Sequence, residues 1–375
     1  MSQLLVEEPP KQSPSQPGLH AFLPGQNPEG GPILSVLLKR TYDISKSGDC
    51  LRSEEDRPPN PGDVPWDDPA NSSVRFESDF IPFKIATDVV LNGFAYAPNG
   101  TPCRELIAGI QVGEVAKRIY VVGDRTAIHN AGRQPRFTEP EPFDRMPLQY
   151  ERAYGGIDVF SDRKTSYVYG RNPLGLGFVV SNMREAVQDK SLPNIEDPDD
   201  RISEERFCVG DFLKNWERQP MPTSLGWFPK TWLPRASFAG IMPGDKKTEQ
   251  ELRAAYTKLV PPEHQAAYAK TQIRDMDFRF FNGASTGLAV PYLKGNEKIA
   301  VKHLTADGFR SFQLPNDIPS VAIDIGEGPK TPEAVLHTVM IHMEEYQVDL
   351  VWRAAIDYPG LDWLPNLKKL EIVIQ

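Results

Sequence analysis

The side chains able to do chemistry in this chain are few, and their spacing limits what they can do. Gly283-Ala-Ser-Thr-Gly287 fits the bare G-x-S-x-G pattern of a serine nucleophile elbow. Such an elbow needs a parallel strand before the serine and a helix after it. Phe280-Phe-Asn282 and Leu288-Ala-Val-Pro291 do not predict that context, so Ser285 is expected to be a loop residue. His337 and His342 lie five apart in one apolar run. In a regular strand that odd spacing sends them to opposite faces, where they cannot chelate one metal. His20, His129, His264 and His303 stand alone. The run Glu196-Asp-Pro-Asp-Asp200 lacks the alternating ligands and glycine of a calcium loop and reads as solvated. Gly175-Leu-Gly177 lacks the third glycine and flanking elements of a dinucleotide site, and no P-loop pattern occurs. Cys208 is expected to be a small core residue. No catalytic set, metal site or cofactor is expected.

Pro142–Gly156 is the most unusual stretch. Read as a strand, Leu148, Tyr150, Arg152 and Tyr154 share one face, and Gln149, Glu151 and Ala153 the other. An arginine between tyrosines must snorkel, stack on a ring or meet a carboxylate. With no nucleophile or metal elsewhere to recruit it, the expected role is structural. Arg145, Glu151 and Arg152 would pair among themselves or with Glu196-Asp197, holding the irregular region 155–230 against a sheet. The alternative is a hydrolase-like enzyme with a site near 142–156 and 170–198.

The elements that must position these residues follow from composition and pattern. Among 375 residues there are 36 prolines and 28 glycines, with 39% hydrophobic and 10% aromatic, so short strands and long loops around a real core are predicted. The formal charge of −9 argues against nucleic acid as a general partner. Cys50, Cys103 and Cys208 are odd in number and widely spaced, which favours a reducing compartment over a disulfide scaffold. The N-terminus lacks the basic and apolar regions of a leader, and runs such as 33–38 are too short to span a membrane. A cytoplasmic protein with no membrane, nucleic-acid or small-molecule partner is expected.

Residues 1–18, with Pro9, Pro10, Pro14 and Pro17, predict a disordered arm. Pro32–Ile44 reads as a strand buried on both faces, and 46–73 as a Pro-rich loop anchored by Trp66. Further strands are expected at Phe80–Lys84, Thr87–Tyr96, Leu106–Val112, Ile119–Val122, Asp277–Asn282, Leu288–Tyr292, Lys298–Leu304, Phe309–Leu314, Val321–Ile325, Leu336–Met343 and Gln347–Ile356. Leu367–Ile374 is a last strand or a helix end. Trp227, Phe228 and Trp232 are expected to pin their loop to a core. Thr248 and Glu251 form a capping box, so one or two short helices are expected near 248–271. The fold class is mainly β (a β-rich α+β chain), with antiparallel, sandwich-like sheets and long Pro/Gly-rich loops. A β-rich part, 19–230, and a helix-plus-β part, 231–375, are expected to pack as one body.

Several stretches in order resemble a known family. They are Lys39-Arg-Thr-Tyr-Asp-Ile44, Asp79–Lys84 with Thr87-Asp88, Gly123-Asp-Arg125, Pro142–Gly156, Asn172–Phe178 and Leu192–Pro198. Trp232-Leu-Pro-Arg235, Arg279-Phe-Phe-Asn282, Lys294–Glu297, Leu304–Gly308 with Phe312–Pro315, and Val351-Trp-Arg353 complete the set. The chain resembles, over roughly 33–357, a bacterial domain-of-unknown-function family encoded in type VI secretion clusters. Its neighbours there are spike, PAAR-repeat and pentapeptide-repeat proteins and toxic effectors. The resemblance implies a non-enzymatic adaptor or chaperone whose partners are a secreted effector and a spike or PAAR-type protein. It makes Arg145, Tyr150, Glu151, Arg152, Tyr154, Asn172 and Asp197 the candidate structural or partner-binding residues. Segment 240–276 departs from the family pattern.

Overall fold

The structure is a computed structural model that describes residues 19–131, 133–159, 166–180, 184–207, 218–240, 276–325, 328–358 and 371–374. The predicted arm 1–18, the helices near 248–271 and Cys208 lie outside these residues.

Strand formation follows β-branched and apolar runs. Pro32–Ile44 is one long strand, buried along almost its whole length, as its apolar run predicts. It sits inside a seven-stranded sheet with the order Leu19–Gln26, Pro32–Ile44, Gln347–Asp357, Val335–His342, Thr87–Asn92 and Ala289–Val290, and Cys50–Arg52 pairs with its far end. Pairing is antiparallel except between Val335–His342 and Thr87–Asn92, which run parallel.

A second sheet of five strands is antiparallel throughout. Its order is Ile195–Glu196, Val115–Val122, Glu105–Val112, Lys298–Lys302 and Phe309–Gln313. Here the alternation is plain: Leu106, Ala108, Ile110 and Val112 are buried, whereas Glu105, Ile107 and Gln111 are exposed. The inner faces of the two sheets share one apolar cluster. Val36, Leu38, Leu91, Val339, Leu350 and Trp352 come from the first sheet, and Ile110, Ile119, Val121, Ile299, Val301 and Phe312 from the second. The sandwich expected from the sequence is therefore present, and the segments 19–230 and 231–375 both supply strands to both sheets.

The other face of the first sheet is polar yet buried, and this explains several of the motifs. Lys39 meets Asp79 at 2.8 Å, Lys84 meets Asp88 at 2.7 Å, and Thr41 donates to Asp349 at 2.8 Å. Asn282, Gly283 and Ala284 all donate to the Asp88 carboxylate, at 3.1 Å each. Burial pushes the Asp349 carboxyl up, but the His342 hydrogen bond and the Lys39 and Arg57 charges outweigh it and hold it below its ordinary value. These bonds fasten the loops carrying Asp79–Lys84 and Arg279–Asn282 onto the sheet.

The same bonds overturn two expected strands. Phe80–Lys84 is irregular: Asp79, just before it, is held by Lys39, and its last residue, Lys84, by Asp88, with no strand partner between. Asp277–Asn282 holds a 3₁₀ turn, Phe278–Phe281, because the Asp277 side chain accepts from Arg279 N and caps it. Leu19–Gln26 is a strand that alternation did not announce, and Glu371–Ile374 is a strand, one of the two outcomes left open for Leu367–Ile374.

Candidate functional site

Pro142–Gly156 is not one strand. Arg145–Pro147 pairs with Phe94–Tyr96, Tyr150–Arg152 forms a 3₁₀ turn, and Tyr154–Gly155 runs parallel to Leu176–Gly177. The backbone is bent here because Gly155 and Gly156 adopt φ of 151° and 112°, and a Cβ on Gly155 would stand 2.1 Å from the Asn172 carbonyl oxygen. The turn destroys the common face expected for Leu148, Tyr150, Arg152 and Tyr154, and it sends successive side chains to different partners.

Tyr150 points inward. It is edge-on to Phe228 and Trp232, with centroids at 5.5 and 5.6 Å, so the aromatic loop is pinned to this residue. Its hydroxyl donates to Ser285 Oγ at 3.1 Å, and burial pushes its pKa up. Asn172 is fully buried; its amide nitrogen donates to the Tyr150 and Tyr154 carbonyls at 2.7 and 3.1 Å, and its side-chain oxygen accepts from Leu174 N at 3.2 Å. The Tyr154 hydroxyl donates to Gln219 Oε1 at 2.8 Å. Asn172 is thus the hub that closes 150–156 on 172–178.

The charged residues do not pair as expected. Glu151 accepts from Ser73 N and Oγ at 2.5 and 2.8 Å. Arg152 donates to Asp124 and Asn194, both at 3.1 Å. Glu196 is taken by Arg125 at 2.5 Å and by Ile202 N at 2.6 Å. Burial pushes the Glu196 carboxyl up, although Arg125 opposes the shift. Asp197 accepts from Asp199 N at 2.9 Å and closes its own loop. Arg145 is exposed and stacks over the Phe94 ring at 4.7 Å. The physical cause is that Arg125, just after Val115–Val122, already occupies Glu196, which pairs with that strand, while Arg152 is held by Asp124 and Asn194. Arg145, Glu151 and Arg152 thus pair neither with one another nor with Glu196-Asp197.

A cleft of about 460 Å³ opens beside this cluster, between the segments that the hydrolase-like alternative singled out. Asp124, Glu139, Glu141, Glu151, Arg125 and Arg152 line it with Thr126, Thr138, Leu176, Ser191 and Leu192. The cleft can hold a small polar group. Of its charged side chains, Glu151 is committed to Ser73 and Arg125 to Glu196. The Arg152–Asp124 pair is open to water, with side chains 38% and 65% exposed, and contributes little by itself.

Sequence reasoning missed Lys117. It lies in Val115–Val122 on the inward side, with Ile119 and Val121, and that alternation was its signal. Its ammonium donates to Ser285 Oγ at 2.8 Å and to the Thr286 carbonyl at 2.6 Å. Burial lowers its pKa to about 8. A serine beside such a lysine is a nucleophile–base combination in principle. Here Ser285 is 1% exposed and Lys117 9%, and the lysine spends its protons on a serine and a backbone carbonyl. The set ties the Gly283–Gly287 loop under the second sheet. Its pH signature follows from the shift. Folded Lys117 loses its proton near pH 8, while an unfolded lysine keeps its proton to about pH 10.4. Between these values Lys117 binds more proton in the unfolded chain, so its own contribution to stability rises with pH. The raised Cys50 thiol acts the other way over the same range, so the readout is the difference: in urea unfolding, the stability of the wild type relative to Lys117→Met should rise from pH 8 to 10.

The two histidines also differ from expectation. A bulge between Leu336 and Thr338 shifts the strand register, and both side chains end on the polar face. His337 accepts from Arg353 Nε at 2.9 Å; burial, then the Arg353 and Lys84 charges, keep it well below its ordinary pKa. His342 meets Asp349 at 3.0 Å. They take separate partners, and among the described residues no group of three or more His, Cys, Asp or Glu is placed to hold a metal ion. No helix among the described residues is long and apolar enough to cross a membrane.

Neither a curated protein nor a solved structure matches the chain. Residues 29–353 match a bacterial family described as "Uncharacterized protein conserved in bacteria (DUF2169)". That span takes in the second sheet, all of the first except Leu19–Gln26 and the end of Gln347–Asp357, the Asn172 hub and the buried polar face, and the chain belongs to this family.

Proposed function

We propose that the protein is a non-enzymatic adaptor that binds a secreted effector and helps load it onto a type VI secretion spike. The observation that carries the binding reading is the use made of the family motifs. Tyr150, Glu151, Tyr154, Asn172, Arg125 and Glu196 are committed to hydrogen bonds that fix loops onto a rigid sandwich. A scaffold that holds long loops in place is what a protein-recognition surface requires. The assignment to type VI secretion rests on the ordered motif resemblance.

A second reading is favoured by one observation, the cleft between 142–156 and 170–198. In a hydrolase-like enzyme its free carboxylates, Glu139 and Glu141, would face a polar substrate.

Co-expression with the effector encoded next to it, followed by size-exclusion chromatography at micromolar concentration, separates the readings. The adaptor co-elutes with the effector. Separate elution of two soluble proteins contradicts it.

A further inference from the structure

The outer face of the second sheet is the part of the molecule whose chemistry departs most from the rest. Its register places Arg118 opposite Gly109, Gly109 opposite Lys302, and Lys302 opposite Phe309. The adjacent row is Ala116, Gln111, Ala300 and Ser311, and Lys298 stands beside Gln313 at the end. Small residues in the centre keep this face flat. Phe309 is 61% exposed and Ile107 41%, so apolar side chains flank the cationic row. Lys298, Lys302 and Arg118 are exposed. Arg118 has only a loose contact of 3.6 Å with Asp199, and both side chains are mostly in water. Two acids on the same face are occupied, Glu105 by the Tyr120 hydroxyl and Glu196, which pairs opposite Tyr120, by Arg125. A three-cation strip with exposed apolar groups on a chain of net charge −9 is a local reversal of sign.

We infer that this face is a docking surface for an acidic segment of a partner protein that carries carboxylates and apolar side chains on one and the same face. The inference names the partner chemistry for the adaptor reading above and rests on it. Charge complementarity selects the occupant. Carboxylates four apart on one face of an extended segment meet Lys298 and Lys302, and the apolar side chain midway between them, on that same face, lies over Ala300 beside Phe309. Nucleic acid fits less well, because the chain's net charge repels a polyphosphate and Phe309 offers a single stacking ring.

The test uses the full chain and a fluorescein-labelled synthetic peptide of repeated Glu-Ser-Val-Ser, which sets glutamate and valine on one face, read by anisotropy at low and moderate salt. Wild type should bind it, with affinity falling as salt rises. Lys298→Glu/Lys302→Glu should weaken binding about tenfold or more, and Phe309→Ser about threefold, at unchanged urea midpoint because these side chains are exposed. Arg133→Glu, an exposed cation elsewhere, should leave binding unchanged. No binding by wild type, equal binding by the double variant, or preference for a single-stranded oligonucleotide over the peptide would each overturn the inference. Co-elution with the neighbouring effector is scored separately. Peptide binding without co-elution defeats the adaptor reading and leaves this surface standing. Co-elution that survives Lys298→Glu/Lys302→Glu, with the peptide unbound, defeats the surface and leaves the adaptor.

Discussion

Arg235→Ala is expected to lower the unfolding free energy by about 3–5 kcal/mol, the usual effect of stripping one partner from a buried ion pair. Its guanidinium and the Glu77 carboxylate are bonded to each other with side chains 3% and 1% exposed. The same guanidinium donates to the Phe228 and Phe280 carbonyls at 2.6 and 2.9 Å. Removing it leaves a charge and two backbone acceptors short of a partner at the junction of the aromatic loop, the 77–84 loop and the 3₁₀ turn at Phe278–Phe281. Arg235→Met combined with Glu77→Leu should recover only part of the loss, because the carbonyls stay unpaired. Urea denaturation of the single and double variants measures both effects. A loss below about 1 kcal/mol in Arg235→Ala would place the pair in a wetter setting than its burial implies.

Asn172→Ala should lose about 2–4 kcal/mol, since two side-chain hydrogen bonds to buried carbonyls disappear and nothing replaces them. Asn172→Asp keeps the size but turns a carboxylate towards the Tyr150 and Tyr154 carbonyls, so it should be at least as damaging. The pair distinguishes a donor hub from a packing role: if Asn172→Asp matched wild type in urea midpoint, the hydrogen-bond account of this residue would fail.

What the sequence made legible is the part governed by local pattern. The apolar run of Pro32–Ile44 and the strict alternation of Glu105–Val112 specify two-sided and one-sided burial, and both occur. The Gly113-Glu114 turn joins the strands on either side of it, with Gly113 at φ 55°. Pro142–Gly156 defeated the same reasoning. Its apparent period of two is broken by the 3₁₀ turn Tyr150–Arg152, whose Tyr150 carbonyl is held by a bond from Asn172 that no local pattern encodes. The charged residues of this stretch take other partners than expected, because Glu196 is occupied by Arg125, 71 residues away in the chain and brought to it by the sheet. Parity failed at His337 for a related reason, since a bulge adds a residue without a mark in the sequence. Lys117 shows the opposite case. Its inward parity was readable, but a lysine in a strand reads as exposed until its partner, Ser285, is known.

The motif segments form a fixed keystone of the fold; the proposed adaptor requires them to stay fixed, whereas the hydrolase-like alternative would make them the movable wall of a reaction site. Active-site lids open with free energies well below that of global unfolding, whereas core elements exchange only when the whole molecule opens. Four amides report directly on the keystone: Gly156 N bonds Asn172 O at 2.8 Å, Leu176 N bonds Ala153 O at 2.9 Å, Phe178 N bonds Gly155 O at 3.0 Å and Asn194 N bonds Arg152 O at 2.8 Å. Native-state hydrogen exchange on the full chain is the most direct measurement. These amides should exchange with the same free energy as Val89 N and Leu91 N in the first sheet, and with the same dependence on added denaturant. Exchange through a local opening several kcal/mol below the sandwich, with little denaturant dependence, would contradict the keystone and favour a segment that opens over the neighbouring cleft.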